Sequence, residues 1–499
     1  MAVIIASALL LLQVYAVVAL NAAAMRRSDV LRVAAASAAS AAIGVGAPEY
    51  VAAASTRAAV RPTNEVVDVI DGIRQKRLGG TDIIVSEVGL GTQRWGSTDF
   101  NAPNEAACHA MMNKAVLDSG VTLIDTAEQY PIPSGSFSPE GYTEEIIGSW
   151  LRQDRSRRRE VVIASKITGG DNINKRNIMA DCEASLKRLG TDYLDVYLLH
   201  WPARYTPQSN WGQSLEFNPA VQQLLGPSAS FAEVVEAMGK LQKQGKIRGW
   251  GMCNDNAYGL AASAYTARAM GLPPPCVLQN DYSILDRRIE VPPPEAHTMH
   301  VHTYAYAHVH MHMHTHQENG VSEASSPLLE NTGFMAYNVL AGGVLTGKYL
   351  KEPAAIDQYN AGKKGASMKR FRDPRGRMDE NGWGQTLYRY RSGPAEEATR
   401  AYAKLAKQHG MTLTELCLRW ARQRAAVTSS LLGVSSLTQL EEDLSYYKKD
   451  DVAPLPRELL WEIDRVHMRN RLPIFASTKV AKDWDEGAFG FGEVDEIIP

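Results

Sequence analysis

The amino-acid sequence predicts an α/β fold, a (β/α)8 TIM barrel opened by a β-hairpin and preceded by a targeting leader. Three observations carry that expectation. Apolar runs of strand length alternate with helical patterns through most of the chain, the signature of βαβ units and a parallel sheet. Eight such units are present, which suits a closed barrel better than the alternative, an open doubly wound sheet. Several of the runs also stop on polar residues, and in a barrel the loops after the strands build the active face.

The 499 residues, 45% hydrophobic, leave room for one large barrel or two to three ordinary domains. A formal net charge of −2 argues against a polyanion binder, so nucleic acid is not an expected partner. Cys108, Cys182, Cys253, Cys276 and Cys417 form no CxxC pair and no zinc spacing. They read as buried thiols in a reducing compartment, and no metal site is expected from them.

Residues 1–62 differ in composition from the rest of the chain. An uncharged apolar stretch from Ala2 to Ala24 precedes Arg26 and Arg27, then an alanine- and serine-rich, acid-poor tract. This is the composition of a leader. The expected destination is a plastid; the alternatives are a mitochondrion or a form anchored in a membrane through the apolar segment, which is about long enough to span one. The barrel is expected over residues 63–470 and a tail over 471–499.

Arg77 to Gly96 holds a Gly-Gly-Thr-Asp turn between two β-like runs, a hairpin leading into a first strand around Val88 to Thr92. Asn104 to Gly120 has helical spacing and a glycine stop. Val121 to Ala127 is the second strand. Thr143 to Gln153 is a helix opened by Thr143, with Glu144 and Glu145 in the turn where the helix dipole favours acids. Val161 to Lys166 is the third strand, Asn177 to Gly190 a helix, and Tyr193 to His200 the fourth strand. Helices over Phe231 to Gly245 and Ala257 to Gly271 precede strands Ile247 to Asn254 and Val277 to Ser283; Gly333 to Val339 and Ser429 to Val434 complete the eight.

Val291 to Gln317 interrupts this order where a sixth crossover helix belongs, and it contains eight of the chain's twelve histidines. Histidine alternating with Thr, Met, Val, Tyr and Ala is what a CA/TG dinucleotide repeat encodes. The tract reads as a low-complexity insertion or an unspliced fragment on the surface, with metal binding as the minor alternative.

Strands two to four end on Asp125 with Tyr130 just beyond, Lys166, and His200. A phenol with an unperturbed pKa of about 10 donates a proton poorly at neutral pH, and a nearby ammonium stabilises its phenolate. An aspartate keeps the ammonium charged and oriented, and an imidazole hydrogen-bonds a carbonyl oxygen placed beside the phenol. This is a tuned general acid for an oxygen that gains negative charge. It contains no nucleophile and no metal. The chemistry left to it is hydride addition to a carbonyl, with the hydride brought by a cofactor.

Taken in order, LIDTAEQYP, VVIASKITG, SLKRLGTDYLDVYLLHWP, GKIRGWGMCN, LQNDYSILDRR, AYNVLAGGVLTGKY and LLGVSSLTQLEEDL resemble the blocks of the aldo-keto reductases, closest to the Tas type, a group related to the β subunits of potassium channels. The resemblance runs from about Arg77 to about His467. It implies NADPH-dependent reduction of aldehydes or ketones, with NADH possible, and a small carbonyl compound as substrate. Tyr130 is then the proton donor, Lys166 and Asp125 its tuning pair, and His200 the residue that orients the carbonyl. Trp95, Trp201 and Tyr205 are implied to line the substrate mouth. For the cofactor it implies Thr92 at the end of the first strand, Asn254 and Gln279 at the nicotinamide carboxamide, and Tyr337 stacked on the ring. Asn338, Leu340, Gly342 and Lys348 match positions near the pyrophosphate. Gly433, Ser435, Gln439, Glu442 and Asp443 match the loop and helix that hold the adenosine end. Three positions depart from the pattern: Cys253 where serine is frequent, Gln439 where many reductases place an arginine over the 2′-phosphate, and Asp443 where asparagine is usual. The alternative function is a cofactor-binding, redox-sensing regulatory subunit like the channel β subunits.

Overall fold

The structure is a computed structural model that describes residues 61–99, 101–206, 228–290, 321–327, 329–350, 356–357, 370–371, 376, 378, 390, 392–448 and 454–469. The leader through residue 60, the insertion 291–317 and the tail 471–499 lie outside the described residues.

An antiparallel meander comes first, formed by β1 (Val66–Ile70), β2 (Ile73–Arg77) and β3 (Ile84–Ser86). The Gly-Gly-Thr-Asp turn joins β2 to β3 as expected. The structure adds β1 ahead of it, through a two-residue Asp71-Gly72 turn in which both φ angles are positive, the geometry that matches strand twist in tight hairpins.

The barrel strands are β4 (Val88–Gly91), β5 (Leu123–Asp125), β6 (Val162–Ile167), β7 (Leu194–Leu199), β8 (Ile247–Cys253), β9 (Val277–Asp281) and β10 (Gly333–Tyr337), and a short ladder of β11 (Ile356–Asp357) with β12 (Arg370–Phe371) precedes the last, β13 (Ser429–Leu432). The eight pair in parallel in chain order, and β13 returns to pair with β4, so the barrel closes. The closed form, not the open sheet, is what the chain adopts. Around the strands stand α1 (Glu105–Met112), α2 (Tyr142–Gln153), α3 (Lys175–Leu189), α4 (Phe231–Lys243), α5 (Ala257–Ala269), α6 (Gly393–Gln408), α7 (Leu413–Arg422), α8 (Leu437–Lys448) and α9 (Arg457–Arg469).

Several helix ends obey local chemistry. Asn104, Asn174, Ser230 and Asn256 each accept from the backbone N–H three residues on, capping α1, α3, α4 and α5. Gly190 ends α3 in the left-handed conformation. Two expectations are corrected. Helix α2 begins at Tyr142 after Gly141, so Thr143 does not open it; Thr143 is buried and donates to the Trp95 carbonyl at 2.9 Å. Glu144 stands in the first turn as expected, is also buried, and accepts from Ser165 at 2.6 Å and Arg188 at 2.7 Å. The helix expected to run to Gly120 is α-helical only to Met112 and continues as a wider π turn, Asn113–Leu117. Between β9 and β10, the regular structure among the described residues is one four-residue helix, Val321–Ala324.

Strand alternation explains where the site lies. The barrel interior holds Leu123, Val162, Ala164, Val196, Leu198, Val277, Met335 and Leu431, with Leu78, Ile83 and Val85 of the meander packed in the same cluster. Counting on by two toward the C-terminal ends of the strands reaches Asp125, Lys166, His200, Gln279, Tyr337 and Gly433. The inward face therefore changes from apolar to polar at its last layer.

Candidate active site

Lys166 is fully buried. Burying an ammonium alone costs several kcal/mol, and its three hydrogens find three acceptors. Nζ donates to Asp125 Oδ2 at 2.7 Å, to the Thr126 carbonyl at 2.8 Å and to the Tyr130 hydroxyl at 3.5 Å. The other oxygen of Asp125 accepts from Gln279 Nε2 at 2.7 Å, and the backbone carbonyl of Asp125 accepts from Thr92 Oγ1 at 2.8 Å. The carboxylate is thus held from both sides.

Tyr130 is held through its backbone. Its N–H donates to the Ala127 carbonyl at 3.1 Å, and its carbonyl accepts from Gly141 N at 2.9 Å, at the start of α2. Ile132 N donates to the Gln93 carbonyl at 2.8 Å, tying the same loop to the exit of β4. The Tyr130 and His200 rings meet edge to face with centroids 5.5 Å apart, and His200 stacks on Trp201 at 4.1 Å. Burial first, and the Lys166 charge second, hold the His200 imidazole well below its usual pKa. It is a neutral ring, able to donate one N–H without adding a second cation. Its buried Nδ1 has no hydrogen-bond partner among the described residues.

A cleft of about 550 Å³ opens over this group. Asp125, Tyr130, His200, Trp95 and Trp201 line its inner part, while Lys166 lies beneath the wall. Thr92, Asn254, Gln279, Tyr337, Asn338, Leu340, Gly342 and Lys348 line it further along, and Gly433, Ser435, Gln439, Glu442 and Asp443 close its other part. Among the residues singled out in the sequence, Tyr205 is the one besides Lys166 that does not line the cleft.

The two amides expected at a carboxamide are already engaged within the protein. Asn254, at φ +57°, donates through Nδ2 to the His200 carbonyl at 2.9 Å and accepts from the Tyr337 hydroxyl. Gln279 accepts weakly from Cys253 Sγ at 3.5 Å while donating to Asp125. Gln439 Oε1 accepts from Ser435 N at 2.9 Å, so this side chain closes its own loop. Burial, with Glu442 beside it, pushes the Asp443 carboxyl up to about 7.

Two contributors escaped the sequence reading. Arg204 grips Asp255 with two bonds, 3.0 and 2.6 Å, joining the loop after β7 to the loop after β8, and Asn280 Nδ2 donates to the Asp255 carbonyl at 2.7 Å. A basic residue five positions past one strand end and an acid two past the next are visible in the sequence, but their pairing across 51 positions is not. No cluster of metal-ligating side chains is present among the described residues.

The wall fits a dinucleotide. Asn338, Ala341, Gly342 and Gly343 all take positive φ, turning the chain after β10 sharply along the cleft. A Cβ built at Gly433 meets nothing within 4 Å, which leaves room for a ligand against the backbone there. Beside these, the donor set of Tyr130 and neutral His200 converges on one place above Lys166.

A barrel whose C-terminal end carries a phenol, an ammonium, a carboxylate and a neutral imidazole defines a carbonyl oxidoreductase. The chain belongs to the Aldo/keto reductase family, whose profile matches residues 87–293 and 294–459, and within it to the Tas type. It is 30% identical over 402 residues to Protein tas of Escherichia coli strain K12, covering 78% of this chain and 96% of that protein. It is also 30% identical over 300 residues to an aldo-keto reductase of Babesia bovis, covering 57% and 88%, and 27% identical over 372 residues to one of Pseudocercospora fijiensis, covering 71% and 96%. Family membership makes it an oxidoreductase of small carbonyl compounds, of a kind that generally uses NAD(P)H.

Proposed function

We propose that this chain reduces aldehydes or reactive ketones to alcohols with NADPH, and that Tyr130 supplies the proton. The observation that carries the reading is the Lys166 ammonium, whose three hydrogens point to Asp125, the Thr126 carbonyl and the Tyr130 hydroxyl. When bound, the nicotinamide supplies the hydride to the carbonyl carbon. Tyr130 then gives its proton to the carbonyl oxygen as charge builds there, and the ammonium at 3.5 Å stabilises the phenolate left behind. Neutral His200 donates to the same oxygen and fixes its position. Trp95 and Trp201 exclude water from the inner cleft. Asn254, Gln279, Tyr337 and Lys348 would hold the nicotinamide and pyrophosphate end, and the Gly433 to Asp443 segment the adenosine end.

The test monitors the loss of NADPH absorbance with short aldehydes, aromatic aldehydes and α-dicarbonyls, using Tyr130→Phe as control. Turnover that collapses in the variant while NADPH binding persists is expected. Tight binding without turnover on any carbonyl would overturn it in favour of a cofactor-sensing subunit. We also propose a plastid address in residues 1–62, tested by fusing them to a fluorescent reporter: accumulation in plastids is expected, and signal in mitochondria or on secretory membranes would refute it.

A further inference from the structure

Arg204 carries its guanidinium to a place where helix chemistry does not call for one. It lies 5.5 Å over Phe231, the first residue of α4, and 5.5 Å over Tyr258, in the first turn of α5. Helix dipoles favour cations at the opposite end. Asp255, the acid it grips, suits the place by itself. It stands just ahead of α5, and its Oδ1 accepts from Asn256 N at 2.7 Å. It also fits against Gly259, where a Cβ would stand 2.3 Å from the same oxygen. The carboxylate belongs to the helix, and the arginine is what remains to be explained.

The explanation lies in what the pair joins. Arg204 stands four residues past His200 and three past Trp201. Its Nη1 and Nη2 meet the two oxygens of Asp255 at 3.0 and 2.6 Å, and Nη2 also donates to Asn256 Oδ1 at 3.1 Å. Two parallel bonds fix an orientation as well as a distance. The exit of β8 has holds of its own. Asn254 N donates to the Gln279 carbonyl at 3.0 Å, Asn280 Nδ2 to the Asp255 carbonyl at 2.7 Å, and Asn256 caps α5. On the β7 side, His200 N donates to the Ile167 carbonyl at 2.9 Å, while Gly170 N reaches the Pro202 carbonyl at a long 3.3 Å. Of the two exits, the one carrying His200 and Trp201 therefore gains more from the pair.

We propose that Arg204 is a positioning residue for the reaction: by gripping Asp255 it holds the turn that carries His200 and Trp201, and so sets where the carbonyl group rests beside Tyr130. The assignment rests on the reductase reading of the site. His200 must bring one N–H to the carbonyl oxygen, and a misplacement of about 1 Å costs about 100-fold in rate. Asn254 and Gln279 keep their own supports, so cofactor binding is expected to outlast the loss of Arg204. Lysine at this position keeps the charge but not the planar fork.

The test compares the full-length chain with Arg204→Met, Arg204→Lys, Asp255→Asn and the double variant of Arg204→Met with Asp255→Asn. It measures kcat and KM for the carbonyl compound that the wild-type chain turns over best, the Kd of NADPH from its fluorescence, and the melting temperature. Arg204→Met should lose about 10- to 100-fold in kcat/KM, while the Kd of NADPH stays within about twofold of wild type. Arg204→Lys should recover part of the turnover. Because the two residues act through one pair, the double variant should lose about what Arg204→Met loses alone. If Arg204→Met does not fold, Arg204→Lys carries the comparison, with reduced turnover and an unchanged Kd expected. Wild-type turnover in the variant that carries the comparison, a loss of NADPH affinity as large as the loss of turnover, or additive losses in the double variant would each overturn the assignment. Absence of turnover in the wild-type chain itself would instead sink the reductase reading, and this assignment with it.

Discussion

Gln279 donates to Oδ1 of Asp125 at 2.7 Å, taking the carboxylate oxygen that Lys166 leaves. The two residues come from β9 and β5, which are not neighbours in the barrel, so the bond spans its interior. It fixes the carboxylate that in turn fixes the ammonium. Removing it by Gln279→Ala forfeits a hydrogen bond to a charged group, about 1.5–3 kcal/mol. We expect a loss of kcat/KM of roughly 10- to 100-fold and a lower urea midpoint. Wild-type turnover in this variant would show that Asp125 needs no second anchor.

Lys166→Met should separate stability from chemistry. It leaves Asp125 buried without its cation, a change that costs about 3–5 kcal/mol in comparable sites. Lys166→Met combined with Asp125→Leu should recover most of that stability, because both charges are gone. Turnover should remain down by about 100-fold or more in both variants. Recovery of turnover in the double variant would remove Lys166 from the proton-donating group.

Glu128 makes stability depend on pH. Burial is the main cause that raises its carboxyl from 4.5 to about 7. Above its folded pKa the residue is ionised in both states, and below 4.5 it is protonated in both. Between the two, the unfolded chain gives up the proton first, so folding stability falls as pH rises from 4.5 to 7 and then levels off. Glu128→Gln keeps an oxygen for the Thr168 N–H, which now donates to Oε1 at 2.6 Å, and removes the charge. It should be more stable than wild type at pH 8, by a cost of order 1–3 kcal/mol, with the gap closing toward pH 4.5. Parallel melting-temperature profiles for the two proteins would refute this.

Gly169 meets the other half of the site. A Cβ there would stand 2.3 Å from Trp201 Cβ and 2.5 Å from Trp201 N, closer than atoms pack, so the His200–Trp201 turn must shift. Gly169→Ala should cost about 1–3 kcal/mol and impair turnover more than cofactor binding, since Trp201 stacks on His200. A variant with unaltered kcat and KM would mean the turn moves without consequence.

Much of this was legible because strand ends in a barrel are marked by a change in residue type. Leu123-Ile124 ahead of Asp125, Ile163-Ala164 ahead of Lys166 and Leu199 ahead of His200 each pass from apolar packing to a group that needs a partner, and all three do so at the same end of the sheet. The hairpin turn at Gly79 was legible for a similar reason, its φ of +60° suiting glycine. The bonds among the ends were not. That Gln279 would turn to Asp125, or that Asn254 would be held by His200 and Tyr337, depends on distances across the barrel that no local pattern encodes. Strand β1 was missed because Val66–Ile70 lies beside a leader-like tract, although Asp71-Gly72 after it is a strong turn signal. The Arg204 grip on Asp255 is a long-range pairing of the same kind.

The meander packs Leu78, Ile83 and Val85 into the same cluster as the barrel's interior side chains, so the N-terminal end is stoppered. Side chains fill that end, while the polar layer of Asp125, Tyr130 and His200 faces the cleft at the other. The two ends of one barrel thus divide the labour, one holding the cylinder shut and the other left to meet a ligand.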